Sequence, residues 1–303
     1  MLSAIASVTN NVELGTCVTD AVRRHPSNIA LAAITLDRVS HGRGTLGIGA
    51  GEAQNIKEFK IQWDKPVGRF AEQLQVIKLL FESSPEHRVS FNGEFYQLEE
   101  ACLQAKSIRQ PHPPIYMAAG APRTLDLCGK YGDGWIPIGY TPELYEAHTT
   151  TIKDSMKKYG RDGKDFQFGV DIDVYFSDDA EEAWAKMKNA VKVSLFKPEV
   201  LKVHNIEDIE GFDFKKYFTE YSMSNQEWII KMREAAQTIP DKVARSSIGI
   251  GTPDDVIPVF ERFLKAGVNH FIIRFWGSGY FSSIDKFGST VLRYFREAYT
   301  TKK

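Results

Sequence analysis

The chain has few cysteines, almost no net charge and no long hydrophobic run. Its 303 residues include three cysteines that lie far apart, which argues against a disulfide framework or a cysteine zinc site. The 38 basic and 39 acidic residues nearly cancel, so no overall field favours nucleic acid or an anionic membrane. No run approaches the roughly 18 apolar residues of a membrane span. We therefore expect a cytoplasmic protein without nucleic-acid or membrane partners.

Several common catalytic motifs are also missing. No predicted strand is followed by G-x-G-x-x-G with an acidic residue about 20 positions later, so the dinucleotide fingerprint is absent. The chain has no H-E-x-x-H, no G-x-S-x-G and no Walker A motif, and its histidines lack metal-ligand spacing. We predict no metal site. The hydrophobic content of 43% is ample for a folded core and argues against a disordered chain.

What the sequence does contain is an alternation of strand and helix patterns. Prolines that suit the first position of a helix follow several of the strands, as at Pro26, Pro122, Pro142 and Pro253. Such alternation predicts a parallel sheet, either open and doubly wound or closed as a (β/α)8 barrel. The six predicted strands cover 12–19, 45–49, 114–119, 134–138, 168–175 and 270–275.

Two segments depart from this rhythm. Residues 196–243 show no strand pattern but are rich in aromatic side chains, which favours an ordered insertion or cap before the last strand–helix unit. Residues 2–9 read as the last turns of a helix, without the charged start and cleavage site of a signal peptide.

Candidate chemistry lies where strands end, because ligands of parallel α/β folds bind at the carboxyl ends of the strands. Glu52 follows the glycine-rich end of the second strand. It is either a carboxylate for proton transfer or an acid that interacts with the dipole of the next helix. Residues 118–124 run from small side chains into a helix N-terminus, which is either a phosphate-binding loop or an ordinary turn.

Two further groups have weaker patterns. The sequence pairs no histidine or acid with Cys17. It is therefore either a nucleophile whose base is not evident or a buried structural cysteine. Asp171, Asp173 and Tyr175 share one face of a strand, where carboxylates are costly without a partner. Arg274 on the last strand is a candidate for that partner.

Five segments, taken in order, resemble the luciferase-like superfamily of (β/α)8 barrels, particularly its branch that uses coenzyme F420. The resemblance extends from residue 12 to residue 277. The segments that carry it are 46–53 (LGIGAGEA), 89–96 (VSFNGEFY), 113–120 (PPIYMAAG), 132–135 (GDGW) and 251–255 (GTPDD).

The resemblance implies an α/β fold of the (β/α)8 TIM-barrel type, with residues 1–303 as one domain and 196–243 as the insertion that shapes the substrate pocket. Relative to the family, the first strand, first helix and second strand have no counterpart in this chain. The resemblance also implies a cis peptide at Cys17–Val18 behind the deazaflavin ring, and Glu52 as the catalytic acid near it. The implied coenzyme-binding residues are Thr16, Cys17, Val18, Ala118, Ala119, Gly120, Ala121 and Ile138.

The implied function is hydride transfer between coenzyme F420 and a small carbon substrate, most like methylenetetrahydromethanopterin reductase. An FMN-dependent monooxygenase and a non-catalytic coenzyme-binding remnant are the alternatives. Residues 139–141 (GYT) lack the lysine that binds substrate phosphate in related sugar-phosphate dehydrogenases, which disfavours a sugar phosphate. The family also implies a homodimer.

Overall fold

The chain divides into two compact units, and each is described by itself. A computed structural model of the chain describes residues 1–207, 212–216, 225–277 and 279–300. Among these, residues 1–136 and 151–167 form the first unit, and residues 137–150 with those from 168 onward form the second. The single domain expected over residues 1–303 stays a prediction.

The first unit contains five parallel strands, an antiparallel hairpin of two strands and most of the N-terminal helices. Its elements are α1 (Leu2–Val8), β1 (Leu14–Gly15), β2 (Thr19–Asp20), α2 (Pro26–Val39), β3 (Gly44–Gly49), α3 (Ala53–Ile56), α4 (Pro66–Glu82), β4 (Val89–Asn92), β5 (Gln97–Ala101), β6 (Ile115–Ala118), α5 (Pro122–Tyr131) and β7 (Gly134–Trp135). The helix α6 (Pro142–Lys158) contributes residues to both units.

The second unit contains three parallel strands and the remaining helices. Its elements are β8 (Gln167–Phe176), α7 (Ala180–Leu195), α8 (Pro198–Val203), α9 (Gln226–Ala235), α10 (Asp241–Arg245), β9 (Ile248–Gly251), α11 (Pro253–Lys265), β10 (His270–Phe275), α12 (Tyr280–Ser289) and α13 (Val291–Thr300).

In the first unit, β3 is the centre of the parallel sheet. It pairs with β1 and β2 on one side and with β6 on the other, and β6 pairs with β7. The predicted strand 12–19 is therefore two short strands, because Thr16 bonds to β3 through its side chain instead of its backbone. Thr16 Oγ1 donates to the Gly47 carbonyl oxygen at 2.6 Å and accepts from the Gly47 amide at 3.1 Å.

The helices of the first unit cover one face of this sheet. The sequence predicts that four side chains of α4 share one buried face, and all four are at most 5% exposed: Phe70, Leu74, Ile77 and Phe81. Ile48 of β3 is fully buried, and α2 packs against both β3 and α4. Since side chains alternate along a strand, Gly47 and Gly49 lie on the face opposite Ile48.

In the second unit, β8 is the central strand and pairs in parallel with β9 and β10. The strand β9 was not predicted, so the six predicted strands are one too few for the parallel strands in the described part of the chain, with residues 12–19 counted as one strand. Its sequence, Ile-Gly-Ile-Gly, is only four residues long, and glycine is unfavourable in strands, which hid the pattern. The predicted strand 134–138 ends at Trp135, and Ile138 forms only an isolated bridge with Asp171.

Three further predictions need correction or completion. The antiparallel hairpin of β4 and β5 was not predicted, since its segment lacks a clean alternation of apolar side chains. The sequence pattern predicts one continuous final helix over 284–298, but the structure breaks it at Thr290, whose hydroxyl donates to the Lys286 carbonyl oxygen. The described part of the 196–243 insertion contains helices and no strand, whereas residues 208–211 and 217–224 lie outside the described residues.

The predicted N-terminal helix is present as α1 and is held by one arginine. Arg43 donates to the carbonyl oxygens of Ala6, Thr9 and Val12 at 2.6–3.1 Å. Its Nε donates to the Ser40 carbonyl oxygen at 2.7 Å, so the end of α2 and the end of α1 share one guanidinium. No helix in the described ranges is long and apolar enough to cross a membrane.

Substitution of Gly47 tests how closely the Thr16 segment packs against β3. A Cβ atom at Gly47 would lie 1.8 Å from the Thr16 carbonyl oxygen, so Gly47→Ala must push two strands apart. We expect a loss of about 3 kcal/mol in the free energy of unfolding, measured by urea denaturation. The control is Gly288→Ala in α12, where a new Cβ meets nothing within 4 Å and alanine favours the helix. Equal stability of the two variants would contradict the packing described here.

Candidate functional site at the strand ends

The carboxyl ends of β2, β3 and β6 bring small side chains together. Gly49 ends β3, and its register partners are Asp20 on β2 and Ala118 on β6. A Cβ atom at Gly49 would lie 3.3 Å from Ala118 Cβ and 3.4 Å from Val18 Cγ2. We call the surface formed by Val18, Gly49 and Ala118 the shelf. Gly49 is buried beneath the other two side chains, whereas Val18 is 38% exposed and Ala118 is partly exposed, so a flat molecule would contact Val18 and Ala118.

The Thr16–Val18 segment forms one edge of the shelf. The Cys17–Val18 peptide bond is cis, as the family resemblance implies. Val18 is 38% exposed and Cys17 is exposed, so the alternative of a buried structural cysteine is wrong. The hydrogen bonds between Thr16 and Gly47 fix this segment against β3.

Glu52 is the third residue after Gly49, the last residue of β3. Gly51 precedes it with φ of +85°, and a Cβ there would lie 3.2 Å from Asp20 Cβ and 3.3 Å from the Trp63 ring. Glu52 is exposed, and its Oε2 accepts from Gln54 Nε2 at 2.5 Å and from Asn55 Nδ2 at 3.2 Å. It makes no capping hydrogen bond to α3, which it precedes. Two side-chain amides therefore orient this carboxylate and leave it open to solvent.

Asp20 is a further carboxylate at the site, and its role was not predicted from the sequence. Its side chain accepts hydrogen bonds from the amides of Val22 and Arg23 and from Arg23 Nε. Burial raises the pKa of this carboxyl, but the hydrogen bonds from Arg23 and Val22 outweigh it and hold the pKa below its usual value. Asp20 therefore stays ionised and shapes the turn after β2. The sequence carries a signal for this role, because Asp20 ends a strand and lies three residues before Arg23, a pattern typical of a turn.

The predicted phosphate-binding loop is held by Thr124. The amides of Gly120 and Ala121 both donate to Thr124 Oγ1, at 3.3 and 3.1 Å, and the Ala119 carbonyl oxygen accepts from Trp135 Nε1 at 2.9 Å. The loop thus has a defined shape. Because the amides of Gly120 and Ala121 already donate to Thr124, an anion at α5 would compete with Thr124 or use the next amides of the helix.

Ile138, the remaining predicted coenzyme-binding residue, belongs to the second unit. Its side chain is 42% exposed, and its carbonyl oxygen accepts from Lys197 Nζ at 2.5 Å. Lys197 also donates to the carbonyl oxygen of Gly139, which has φ of +65°. A Cβ at Gly139 would lie 2.3 Å from the Ser194 carbonyl oxygen, so only glycine fits this turn. Lys197 is 59 residues from Ile138, and the sequence carries no signal for this contact.

The second unit also contains the carboxylates that the sequence placed on one face of a strand. Arg274 lies opposite Asp173 in the register of β8 and β10, and its Nη2 donates to Asp173 Oδ2 at 3.1 Å. Its Nε lies 2.9 Å from Asp171 Oδ1. The prediction that Arg274 is the partner of these aspartates is confirmed. Trp276 Nε1, which was not predicted, donates to Asp173 Oδ1 at 2.7 Å.

The structure thus brings together part of the predicted site. Thr16, Val18 and Ala118 meet around β3, and the loop of residues 119–121 continues directly from Ala118. Glu52 lies on the segment that leaves the same strand, packed through Gly51 against Asp20 and Trp63.

Comparison with known proteins gives one matching family model and several relatives. The model described as luciferase-like monooxygenase matches residues 1–270. The phthiodiolone/phenolphthiodiolone dimycocerosates ketoreductase of Mycobacterium tuberculosis (strain ATCC 25618 / H37Rv) is 30% identical over 270 residues, which cover 87% of this chain and 70% of that protein. The F420-dependent glucose-6-phosphate dehydrogenase of Kineococcus radiotolerans is 28% identical over 292 residues, covering 95% and 79%.

Solved structures give the same fold. An F420-dependent secondary alcohol dehydrogenase in complex with an F420-acetone adduct matches with a TM-score of 0.78 and 21% identity, covering 95% of this chain and 81% of that one. The coenzyme F420-dependent tetrahydromethanopterin reductase of Methanopyrus kandleri matches with a TM-score of 0.76 and 24% identity, covering 97% and 86%. The predicted fold class, an α/β fold of the luciferase-like TIM-barrel type, is confirmed.

Proposed function

The chain is an oxidoreductase of the luciferase-like monooxygenase family, and we propose that it transfers a hydride between coenzyme F420 and a carbon substrate. The shelf is the observation that carries this proposal. Val18, Gly49 and Ala118 form a low surface at the strand ends, where parallel α/β folds bind ligands. The F420-dependent relative supports a deazaflavin as the flat molecule that this surface accepts.

The residues at the shelf fit such a coenzyme. Thr16, Cys17 and Val18 would lie behind the ring, and Ala118 would contact it from β6. The loop of Ala119, Gly120 and Ala121 at the N-terminus of α5 would hold the phosphate. Ile138 stays a coenzyme-binding residue predicted from the sequence. Coenzyme F420, when bound, supplies a hydride donor or acceptor at C5 of its deazaflavin ring.

Hydride transfer to or from a carbon substrate is accompanied by transfer of a proton, which a side chain of the protein must donate or accept. Glu52 is exposed and carries its carboxylate directly after the shelf strand. Its Oε2 accepts from Gln54 and Asn55, while Oε1 accepts no hydrogen bond from the described residues. We propose that Oε1 donates a proton to the substrate or accepts one from it.

For the substrate, we propose a ketone or the corresponding alcohol. The ketoreductase is 30% identical over 87% of the chain, whereas the match to the methanopterin enzyme is at 24% identity and supports only the fold. A methanopterin substrate stays a prediction from the sequence. A homodimer is likewise a proposal, and the elution volume of the purified protein in size-exclusion chromatography tests it.

An FMN-dependent monooxygenase is the second candidate, because solved monooxygenases share the fold. The monooxygenase RslO1 of Streptomyces bottropensis matches with a TM-score of 0.70. Separate titrations of the purified protein with coenzyme F420 and with FMN distinguish the two. We expect saturable binding of F420 and reduction of a ketone by its reduced form. Preferential binding of FMN would support the monooxygenase, and F420 binding without any turnover would support a non-catalytic remnant.

Cys17 provides a test that does not depend on turnover. The Cys17 thiol is exposed beside the shelf, whereas Cys128 is fully buried and burial raises the pKa of its thiol far above the usual value. We expect iodoacetamide to label Cys17 and not Cys128 in the folded protein. Saturating F420 should slow the labelling of Cys17 at least about tenfold, as followed by peptide mass spectrometry. Labelling at an unchanged rate would remove Cys17 from the coenzyme site.

A further inference from the structure

The side chains around Arg274 form a polar cluster on one face of the second unit's strands. On β8, Val170, Ile172 and Val174 are at most 1% exposed, so the alternate residues Asp171 and Asp173 lie on the face opposite the helices. Arg274 lies on the same face of β10. We call Asp171, Asp173, Arg274 and Trp276 the arginine cluster.

Arg274 is oriented from one side only. Its Nη2 donates to Asp173 Oδ2, and Trp276 Nε1 holds the other oxygen of that carboxylate. The Nε atom lies 2.9 Å from Asp171 Oδ1 and 3.0 Å from Asp173 Oδ1, but it donates a well-directed hydrogen bond to neither. The Nη1 atom donates to no described residue, and the arginine side chain is 40% exposed. The Nε atom is itself buried, so the N–H donors of Nη1 are the ones that this oriented, partly exposed side chain can present to a ligand.

The charges around Arg274 determine which ligand these donors suit. Asp171 and Asp173 are only 11% and 16% exposed and lie against the guanidinium, so they offset its positive charge. Burial raises the pKa of the Asp171 carboxyl, against the effect of Arg274, so Asp171 is more readily neutral than an ordinary aspartate. Either way, no excess positive charge remains to attract an anion. A neutral oxygen acceptor fits the site better than a carboxylate or phosphate.

From this geometry we propose that Arg274 is a substrate-binding residue that donates from Nη1 to the neutral carbonyl oxygen of a ketone, or to the hydroxyl oxygen of the corresponding alcohol. Asp173 and Trp276 are positioning residues for the guanidinium. The inference rests on the proposed function for the identity of the substrate, since a ketone is the hydride acceptor named there.

Arg274→Lys tests the proposal without leaving the two aspartates unpaired. Lysine keeps the positive charge beside Asp173 but has no second nitrogen in the position of Nη1. The probe is cyclohexanone, reduced by reduced F420. We expect the KM for cyclohexanone to rise at least about tenfold, with the Kd for F420 unchanged. Trp276→Phe should raise this KM by a smaller factor, because Asp173 loses one of the donors that orient it.

The matched control is Arg293→Lys, since Arg293 is 71% exposed and pairs with Glu297 one helical turn further along α13. Its KM should equal that of the unchanged protein. Saturation-transfer NMR on the coenzyme-free chain measures cyclohexanone binding independently of turnover, so failure of F420 binding would overturn the proposed function without deciding the role of Arg274. An Arg274→Lys protein that stays folded and binds cyclohexanone normally overturns the inference. Tighter binding of the keto acid levulinate than of cyclohexanone would overturn the neutral-oxygen assignment.

Discussion

Replacement of Glu52 by glutamine is expected to lower F420-dependent turnover by about 10²–10³-fold while the Kd for the coenzyme stays within about twofold. Glutamine keeps the size of the side chain and can still accept from Gln54 and Asn55 through its amide oxygen. It cannot donate or accept a proton at neutral pH. The measurement is kcat with saturating ketone and reduced F420, beside a fluorescence titration of the coenzyme.

Glu58 provides the control for this variant. It is an exposed carboxylate six residues further along, in the 3₁₀ turn Lys57–Phe59, and no role at the shelf is proposed for it. Glu58→Gln should leave kcat unchanged. If Glu52→Gln also keeps full turnover, the proton comes from another group, and Glu52 is only the acid that precedes α3. A parallel loss of turnover and coenzyme affinity would instead make Glu52 a binding residue.

The sequence predicted those parts of the fold whose signals are local. Pro26, Pro122 and Pro253 each begin a helix, because a proline ring already has helical φ and its missing N–H is not needed there. The short strand β9 was missed since four residues with two glycines carry too little pattern. The break of the last helix at Thr290 was missed for a similar reason, because a single threonine does not mark a helix end.

The candidate site shows the same division between local and distant signals. The glycine-rich end of β3 and the following Glu52 are contiguous, so the sequence identified them together. By contrast, Thr124 Oγ1 accepts hydrogen bonds from the amides of Gly120 and Ala121, and a pattern of small residues does not reveal these bonds. The pairing of Asp173 with Arg274 joins residues 101 positions apart. Strand alternation placed Asp173 on the correct face, but only the register of β8 and β10 places it opposite Arg274.

Gly49→Val is the second large expected effect, and it tests the shelf directly. The new Cβ would fit at 3.3 Å from Ala118 Cβ and 3.4 Å from Val18 Cγ2 with a small adjustment, so the strand can form. The two methyl groups beyond it have no place beneath Val18 and Ala118 and must displace these side chains of the shelf, on which we place the deazaflavin ring. We expect the Kd for F420 to rise at least about 100-fold, or about 2.7 kcal/mol. Gly49→Ala adds only the Cβ and should raise Kd by a much smaller factor.

The control for this series is Ile48→Val, on the same strand but on the face that packs against the helices. Ile48 is fully buried, so its shortening should cost about 1 kcal/mol in the free energy of unfolding. Its effect on the Kd for F420 should be negligible, because the side chain points away from the shelf. The two variants therefore separate a loss of stability from a loss of the coenzyme surface. If Gly49→Val binds F420 as tightly as Ile48→Val does, the ring does not lie on Gly49, and the coenzyme site must be sought at other strand ends.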